Sequence, residues 1–323
     1  MLPVFVSVIT PAFNASAHLA ETIESCLAQS HADFEMLLVD DGSTDETAEI
    51  ANRYAAADPR VRVFRIPNGG QAAARNLAIA SARGQCFALL DSDDLWMPDY
   101  LERQLDTLSR YPSIDVVTAN AINLGGHSSG EAFWPASEAL RPITLLDMIA
   151  REDAVHIFSV FRRTVINRVG GFDPQFGGNE DYHFWLRAAA AGCRLLADLT
   201  PRGYYRRRPD SVSADQRRML GGIVRVLQEI RRLSSVGGQE TQAIDAQVRR
   251  FNRELLVAEA RACVVAGNPA GGVDFLQRVP SADRGPTLSV LLTLARRWPL
   301  LLTGSYRTKR AISQLRLRLI RPC

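Results

Sequence analysis

The chain has 323 residues, 46% of them apolar and 23% charged, with a formal net charge of +3. It is long for one domain and ordinary in composition for a soluble globular protein, so a main domain with an appendage is expected. The five cysteines, Cys26, Cys86, Cys193, Cys263 and Cys323, are odd in number and widely spaced with no CxxC, so neither a disulfide framework nor a zinc site is indicated and a reducing cytoplasm fits.

Charge is unevenly distributed. Residues 284–323 carry nine basic and no acidic side chains, so the remainder is net acidic at −6. The single lysine, Lys309, lies in that basic tail. The opening MLPVFVSVIT lacks a basic n-region and is not read as a signal peptide. No uncharged apolar stretch reaches the ~18 residues that a membrane-spanning helix needs.

In chain order, Val4 to Thr10 reads as a buried strand ended by Pro11-Ala12-Phe13-Asn14. Asn14 or Ser16 caps a helix to about Gln29, with Leu19, Ile23, Cys26 and Leu27 on one face. Phe34 to Val39 is the second strand, closing on Asp40-Asp41-Gly42-Ser43. Ser43 and Glu46 have the spacing of a capping box for a helix to about Ala57. Val61 to Ile66 is a third strand, Asn68-Gly69-Gly70 a turn, Ala72 to Ala82 a helix and Cys86 to Leu90 a fourth strand. Strands alternating with helices imply a parallel sheet covered on both faces.

Beyond Pro98 come a helix to about Arg110, a strand over Asp115 to Asn120, and a Gly/Ser/Pro-rich loop at 123–142 containing Trp134. Such a loop is expected to lie over the site. Leu145 to Arg151 is a short helix and Ile157 to Phe161 extended. Gly170 to Pro174 is a turn before Glu180-Asp181, which open a helix to about Ala191. Cys193 to Leu199 is a strand leading to Tyr204-Tyr205-Arg206-Arg207-Arg208. From Ala214 the texture is helical, at Met219 to Leu233 and Ile244 to Ala266, with breaks at Gly237-Gly238 and Asn268-Pro269. A boundary is expected near 213, giving a main domain over 1–213 and a helical region over 214–323.

The most informative stretch is CFALLDSDDLWMP (86–98). An apolar strand ends there on Asp91, Asp93 and Asp94. Like charges this close repel, and away from water each costs several kcal/mol unless neutralised. A divalent cation with hard oxygen ligands does this, sharing its shell with water and substrate phosphates. Asp40-Asp41 close another strand on the same rim, where open parallel sheets bind ligands.

Seven stretches in this order resemble glycosyltransferase family 2: VSVITPAFN (6–14), LLVDDGSTDET (37–47), NGGQAAARNLAIASARG (68–84), LLDSDD (89–94), GGFDP (170–174), EDYHFWLR (180–187) and YYRRRPDSVS (204–213). Each is weak alone; together they fall in order over some two thirds of the chain. The resemblance implies a GT-A α/β fold, a Rossmann-like mixed sheet flanked by helices, over about 4–213. The helical appendage is not covered.

The resemblance also implies roles. Pro11, Phe13 and Asn14 lie at the donor, with Phe13 able to stack on a nucleobase. Asp41 accepts from the base or ribose, and Asp40 is a secondary candidate. Arg75 reaches a phosphate or is a solvated helix arginine. Asp93 is the metal ligand, with Asp91 contacting ribose or a metal-bound water and Asp94 capping a helix. Asp181 is the general base, with Glu180 beside it; the alternative is that both acids complement a helix N-terminus. Arg206 and Arg208 face the diphosphate leaving group, and Ser211 and Ser213 match the family's S-x-S. Arg208 departs from the family, which often has a histidine there; an arginine can contact phosphate but cannot ligate metal. His156, His183 and Trp185 are more often core residues, while Trp96 and Trp134 are able to stack on sugar rings.

The implied activity is a Mn2+- or Mg2+-dependent, inverting transfer of a sugar from a nucleoside-diphosphate donor, UDP-linked by preference, to a hydroxyl acceptor. A glycan or lipid-linked acceptor in cell-surface polysaccharide or glycolipid synthesis would place the enzyme in the cytoplasm, at the inner face of the membrane. A nucleotidyltransferase is the alternative, but PAFNAS stands where it would carry a basic glycine-rich loop. A non-catalytic nucleotide-sugar-binding protein would not need acids at both 93 and 181. Nucleic acid is the weakest reading for a partner and none is expected, because the basic tail carries no recognisable nucleic-acid-binding motif. That tail, with leucines and Trp298 between arginines, suits a helix on an anionic membrane surface, or one packed on the main domain or a second subunit of a homodimer.

Overall fold

The structure is a computed structural model and describes residues 4–208, 211, 215–233, 235–281, 284, 289, 292 and 293. Seven elements alternate at the start: β1 (Val6–Ala12), α1 (Leu19–Leu27), β2 (Phe34–Asp40), α2 (Thr47–Ala57), β3 (Val61–Arg65), α3 (Gln71–Ser81) and β4 (Cys86–Leu89). β1 and β2 are buried along their whole length. Burial on both faces is why they read as continuous apolar runs. The order β3-β2-β1-β4 is parallel throughout. Order reverses at β1, which has β2 on one side and β4 on the other. Such a switch opens a crevice beyond the carboxyl ends of the strands. Phe13, Asp41 and Asp91 emerge there.

The parallel order read from the first four strands holds for that half, and the rest makes the sheet mixed, as the resemblance implies. The rest contains β5 (Leu95–Trp96), α4 (Tyr100–Arg110), β6 (Val116–Leu124), β7 (Leu140–Ile143), α5 (Leu145–Ala150), β8 (Ser159–Arg162), α6 (Arg163–Val169), a 3-10 turn at Pro174–Phe176, α7 (Glu180–Ala190) and β9 (Leu195–Arg206). β8 runs antiparallel to β4 and β6. β9 is parallel to β6 with two register shifts, and antiparallel to β5 and β7. Its first half lies in the core. Its second half runs out to the rim, where Tyr204 pairs with Leu95, the residue after the acid cluster. That path brings Arg206 to the acids.

Several local expectations are corrected. β1 continues through Pro11 and Ala12, with Pro11 in register with Val39. Proline removes only one donor, and Asp41 N still donates to Ala12 O at 2.8 Å. Neither Asn14 nor Ser16 caps α1, whose N-cap position is His18 and has no side-chain capping bond. The Ser43/Glu46 capping box does not form. Asp45 takes that place, accepting from Thr47 N at 3.0 Å and Thr47 Oγ1 at 2.5 Å. Burial raises the Asp45 carboxyl, but hydrogen bonds from Thr47 and Ser16 outweigh it and bring it down to about 2. The segment 123–142 is not a bare loop over the site. It folds back on β6 through an Ile122–Ala132 bridge and ends as β7. Trp134 within it is buried, and its Nε1 donates to Asp153 O.

The chain divides into two compact units, Met1–Asp215 with Arg225–Asp245, and Gln216–Val224 with Ala246–Cys323. Helices α8 (Gln216–Ile230) and α9 (Gly238–Val265) contribute to both. In the second unit α10 (Pro269–Gln277) begins at the Asn268-Pro269 break, where the Asn268 side chain accepts from Gly271 N. Its core joins Ala260, Val273, Leu276 and Leu292. Most of the basic tail at 284–323, with Trp298 and the helix expected there, lies outside the described residues. Among the described residues no helix is long and apolar enough to cross a membrane.

Candidate active site

At the end of β1, Phe13 is 48% exposed, an unusual state for a phenylalanine beside a fully buried strand. Asn14 follows with φ +47°. Its N–H donates to Ser43 Oγ at 2.9 Å and its Oδ1 accepts from Thr44 N at 2.9 Å. The two strand ends are thus laced together and the Phe13 ring is presented outward. Pro11 is buried in the strand.

Asp41 is buried, and its two oxygens accept from Gly69 N at 2.7 Å and Gly70 N at 2.8 Å. Gly70 has φ +84°, which a side chain would strain. The Asn68-Gly69-Gly70 turn is thereby fixed against Asp41, whose remaining lone pairs stay available to a ligand. Asp40 is displaced from the candidate list. It is fully buried, accepts from Ser43 N at 2.9 Å and pairs with Arg65 Nε at 3.1 Å. It holds the turn and does not face the crevice.

Arg75 is also reassigned. It is neither a solvated helix residue nor open to a phosphate. At 2% exposure its guanidinium lies between Glu180 Oε1 at 2.7 Å and Asp91 Oδ1 at 2.8 Å. Phe172 covers it, with the guanidinium carbon 5.4 Å from the ring centre. Arg75 therefore joins the end of β4 to the start of α7, across a separation of 105 residues to Glu180.

Asp93 Oδ2 lies 2.9 Å from Arg208 Nε. Burial, then Asp91, raises the Asp93 carboxyl, against the opposing pull of Arg208. Asp94 is not a helix cap; the N-cap of α4 is Asp99. Asp94 is buried, with Oδ1 accepting from Arg206 N at 2.8 Å. Burial, then Asp93 and Asp91, pushes its carboxyl well above the usual range. Arg206 does not face a leaving group. Its Nε donates to Asp93 O at 2.8 Å and its Nη2 to Glu21 Oε2 at 2.8 Å. It clasps β9 to the acid loop.

Glu180 and Asp181 open α7 as expected. Glu180 is buried, bonded to Arg75 and to Gly178 N at 2.6 Å. Asp181 is only partly exposed, and its Oδ1 accepts from Tyr182 N at 2.7 Å. Burial, then the Glu180 charge, pushes its carboxyl up to about 6 in spite of Arg75. A carboxyl near 6 is largely ionised at neutral pH and is a stronger base than an ordinary one.

Do these residues fit a divalent cation? Among the described residues no group of three or more His, Cys, Asp or Glu side chains is arranged to hold one. Yet Asp91, Asp93, Asp94 and Glu180 gather here, with the Arg75 guanidinium paired to Asp91 and Glu180, that of Arg208 to Asp93, and the Arg206 backbone N–H donating to Asp94. Asp94 Oδ2 is buried with no hydrogen-bond partner among the described residues. A surplus of hard oxygens fits a cation whose shell is completed by water and diphosphate.

The remaining aromatic and histidine candidates are core. Trp96 stacks on Tyr100 and Trp185 packs on Phe161 and Phe184. His156 lies among Phe133, Trp134, Phe158 and Tyr205, and burial with Arg207 pushes it down to about 3. His183 packs on Phe176, and burial with Arg187 lowers it to about 4. Ser211 is described and Ser213 lies outside the described residues. Sequence reasoning missed the roles of Arg75 and of the Asp94–Arg206 bond. Both depend on partners more than 100 residues away.

The family model for glycosyl transferase family 2 matches residues 7–170. The chain belongs to glycosyl transferase family 2. This family 2 chain is 48% identical over 102 residues to a putative teichuronic acid biosynthesis glycosyltransferase, TuaG, of Bacillus subtilis, covering 31% of the chain and 40% of the relative. It is 32% identical over 190 residues to chondroitin synthase of Pasteurella multocida, covering 58% and 19%. An uncharacterised protein of Sinorhizobium fredii, y4gI, is 37% identical over 187 residues, covering 56% and 20%. The chain thus spans two fifths or less of the length of these curated relatives. In structure it is similar to residues 1–349 of S. aureus TarS in complex with UDP-GlcNAc, with TM-score 0.62, 21% identity and coverage of 94% and 92%. It is also similar to the mannosyltransferase PcManGT of Pyrobaculum calidifontis in complex with GDP-Man and Mn2+, with TM-score 0.59, 20% identity and coverage of 95% and 83%. These likenesses establish the GT-A fold.

Proposed function

We propose that this family 2 chain transfers a sugar from a nucleoside-diphosphate donor to a hydroxyl acceptor with inversion at the anomeric carbon. The observation that carries the reading is the placement of Asp181 at the start of α7, next to Glu180, which Arg75 bridges to Asp91 at the end of β4. An acceptor hydroxyl must lose its proton as it attacks, and Asp181 takes it. Phe13 stacks on the base and Asp41 accepts from the base or ribose. Arg75, through Glu180 and Asp91, keeps the acceptor side and the donor side in register.

Asp93 and Asp91 would hold Mn2+ or Mg2+, which when bound supplies positive charge to the departing diphosphate. Arg208 adds a guanidinium suited to phosphate oxygens. The likeness to structures carrying UDP-GlcNAc, and GDP-Man with Mn2+, supports a nucleotide-sugar donor, and UDP-linked sugars are preferred. The names of the relatives, a teichuronic acid biosynthesis glycosyltransferase and a chondroitin synthase, support a glycan acceptor in polysaccharide synthesis, a role that we assign to the cytoplasmic compartment. Cys26, Cys86, Cys193 and Cys263, all free thiols, accord with that compartment.

The test is nucleotide release and sugar transfer across a panel of UDP- and GDP-sugars, with Mn2+ or with EDTA. Donor turnover that needs Mn2+ and is lost in Asp93→Ala supports the reading. Full turnover in EDTA overturns its metal component, and wild-type transfer by Asp181→Asn overturns the base.

A further inference from the structure

The three consecutive arginines at the end of β9 are not equivalent. Arg206 is committed by its backbone N–H to Asp94, by Nε to the Asp93 carbonyl and by Nη2 to Glu21. Arg207 takes the opposite side, with Nε donating to Asn123 Oδ1 at 3.0 Å and its guanidinium 4.7 Å from the Tyr205 ring centre. Alternation along an extended chain returns Arg208 to the side of Arg206. There its Nε meets Asp93 Oδ2 at 2.9 Å. This is the carboxylate assigned above to the metal, at the position where the family often has histidine.

A histidine there could share a cation with Asp93. An arginine has no acceptor atom and competes with a cation for the same oxygen. The Arg208 side chain is 28% exposed and that of Asp93 19%, so the pair is neither sealed in the core nor freely solvated. A pair at this depth is broken at modest cost when each partner gains another. A diphosphate offers guanidinium a geometry at least as good as a carboxylate does.

We propose that Arg208 is a built-in counterion that occupies Asp93 until a nucleoside diphosphate draws it away, so that divalent metal enters this site with the nucleotide and not before it. The inference rests on the donor and metal reading above and deepens it. Before the donor arrives, Arg208 neutralises Asp93 and keeps free metal out. On arrival, its guanidinium moves to phosphate oxygens and the Asp93 carboxylate becomes available. Metal and nucleotide are then positively coupled, and linkage requires the same factor whichever is titrated first.

The test is Mn2+ binding to the full chain, read from the loss of the free-ion electron paramagnetic resonance signal, alone and with saturating UDP or GDP. Wild type is expected to bind Mn2+ weakly alone and at least about tenfold more tightly with one of the nucleotides, which is about 1.4 kcal/mol of coupling. Arg208→Gln is expected to bind Mn2+ alone about tenfold more tightly than wild type and to lose most of the coupling. Arg208→Lys keeps the charge and should behave as wild type, and unchanged melting temperatures show that both variants are folded. Nucleotide-dependent Mn2+ binding that Arg208→Gln leaves unaltered overturns the counterion role alone. Arg208→Lys behaving like Arg208→Gln does the same. Mn2+ that neither nucleotide recruits to the wild type overturns the metal reading, and this proposal with it.

Discussion

Two acids on one sheet show how differently a carboxylate can be used. Glu35, near the amino end of β2, is 1% exposed and accepts from Ser7 Oγ at 2.8 Å, Arg83 N at 2.7 Å and Arg62 Nη1 at 2.6 Å. Burial pushes its carboxyl up, but these bonds outweigh it and hold it below the usual range. Asp93, past the carboxyl end of β4, has Arg208 beside it but also Asp91 and Asp94, and its carboxyl is raised. The first acid is over-satisfied and holds the fold. The second is under-satisfied, a condition that clusters at functional sites. The lesson is that the satisfaction of an acid, and not its burial alone, separates framework from site.

Three substitutions and one pH profile would break or sharpen that contrast, in falling order of effect. Asp181→Asn should lower kcat by about 10²–10⁴-fold, the usual worth of a positioned base. Transfer assays under donor saturation read it, and retention of wild-type kcat would remove Asp181 from the mechanism. Phe13→Ala should raise KM for the donor roughly tenfold or more with kcat little changed, because a base–aromatic stack is worth about 1–3 kcal/mol. A rise in KM for the acceptor instead would place Phe13 elsewhere.

Glu35→Gln should leave both kinetic constants near wild type. It should cost about 1–3 kcal/mol of stability by leaving buried donors poorly met. Denaturant midpoints check this. Since the Glu35 carboxyl is depressed in the folded state, the difference from wild type should be present above pH ~5 and fade as pH falls through the folded value.

Asp181 has the opposite sign. Its carboxyl is raised to about 6, so the folded protein binds more protons than the unfolded chain between about pH 4 and 6. Its contribution to stability therefore falls as pH rises through that window, while activity rises as the base ionises. Asp181→Asn should melt a few degrees above wild type at pH 8 and closer to it at pH 4, and the wild-type rate should fall below about pH 6. A rate that stays flat down to pH 5 would contradict the assignment.

The parallel half of the fold was legible because its information is local: apolar runs bounded by turns, with acids on one rim. The antiparallel half was less so. β5 has two residues and exists because β9 reaches back to it, which no local pattern records. Ser43 and Glu46 had the spacing of a capping box, but Asp45 lay between them and captured Thr47 N. At the site, Asp41, Asp91, Asp93 and Asp181 could be picked out as acids at strand and helix ends. What each arginine does could not. Arg75, Arg206 and Arg208 look alike in sequence and differ only in partners supplied by distant elements.

The most direct test is a thermal shift with UDP or GDP and Mn2+, run in parallel on wild type, Glu35→Gln and Asp93→Asn. The account predicts that Glu35→Gln melts lower than wild type yet keeps the full ligand-induced rise. It predicts that Asp93→Asn melts at or above wild type and loses that rise. An Asp93→Asn protein that melts lower and keeps the rise would mean that Asp93 is framework and that the site lies elsewhere.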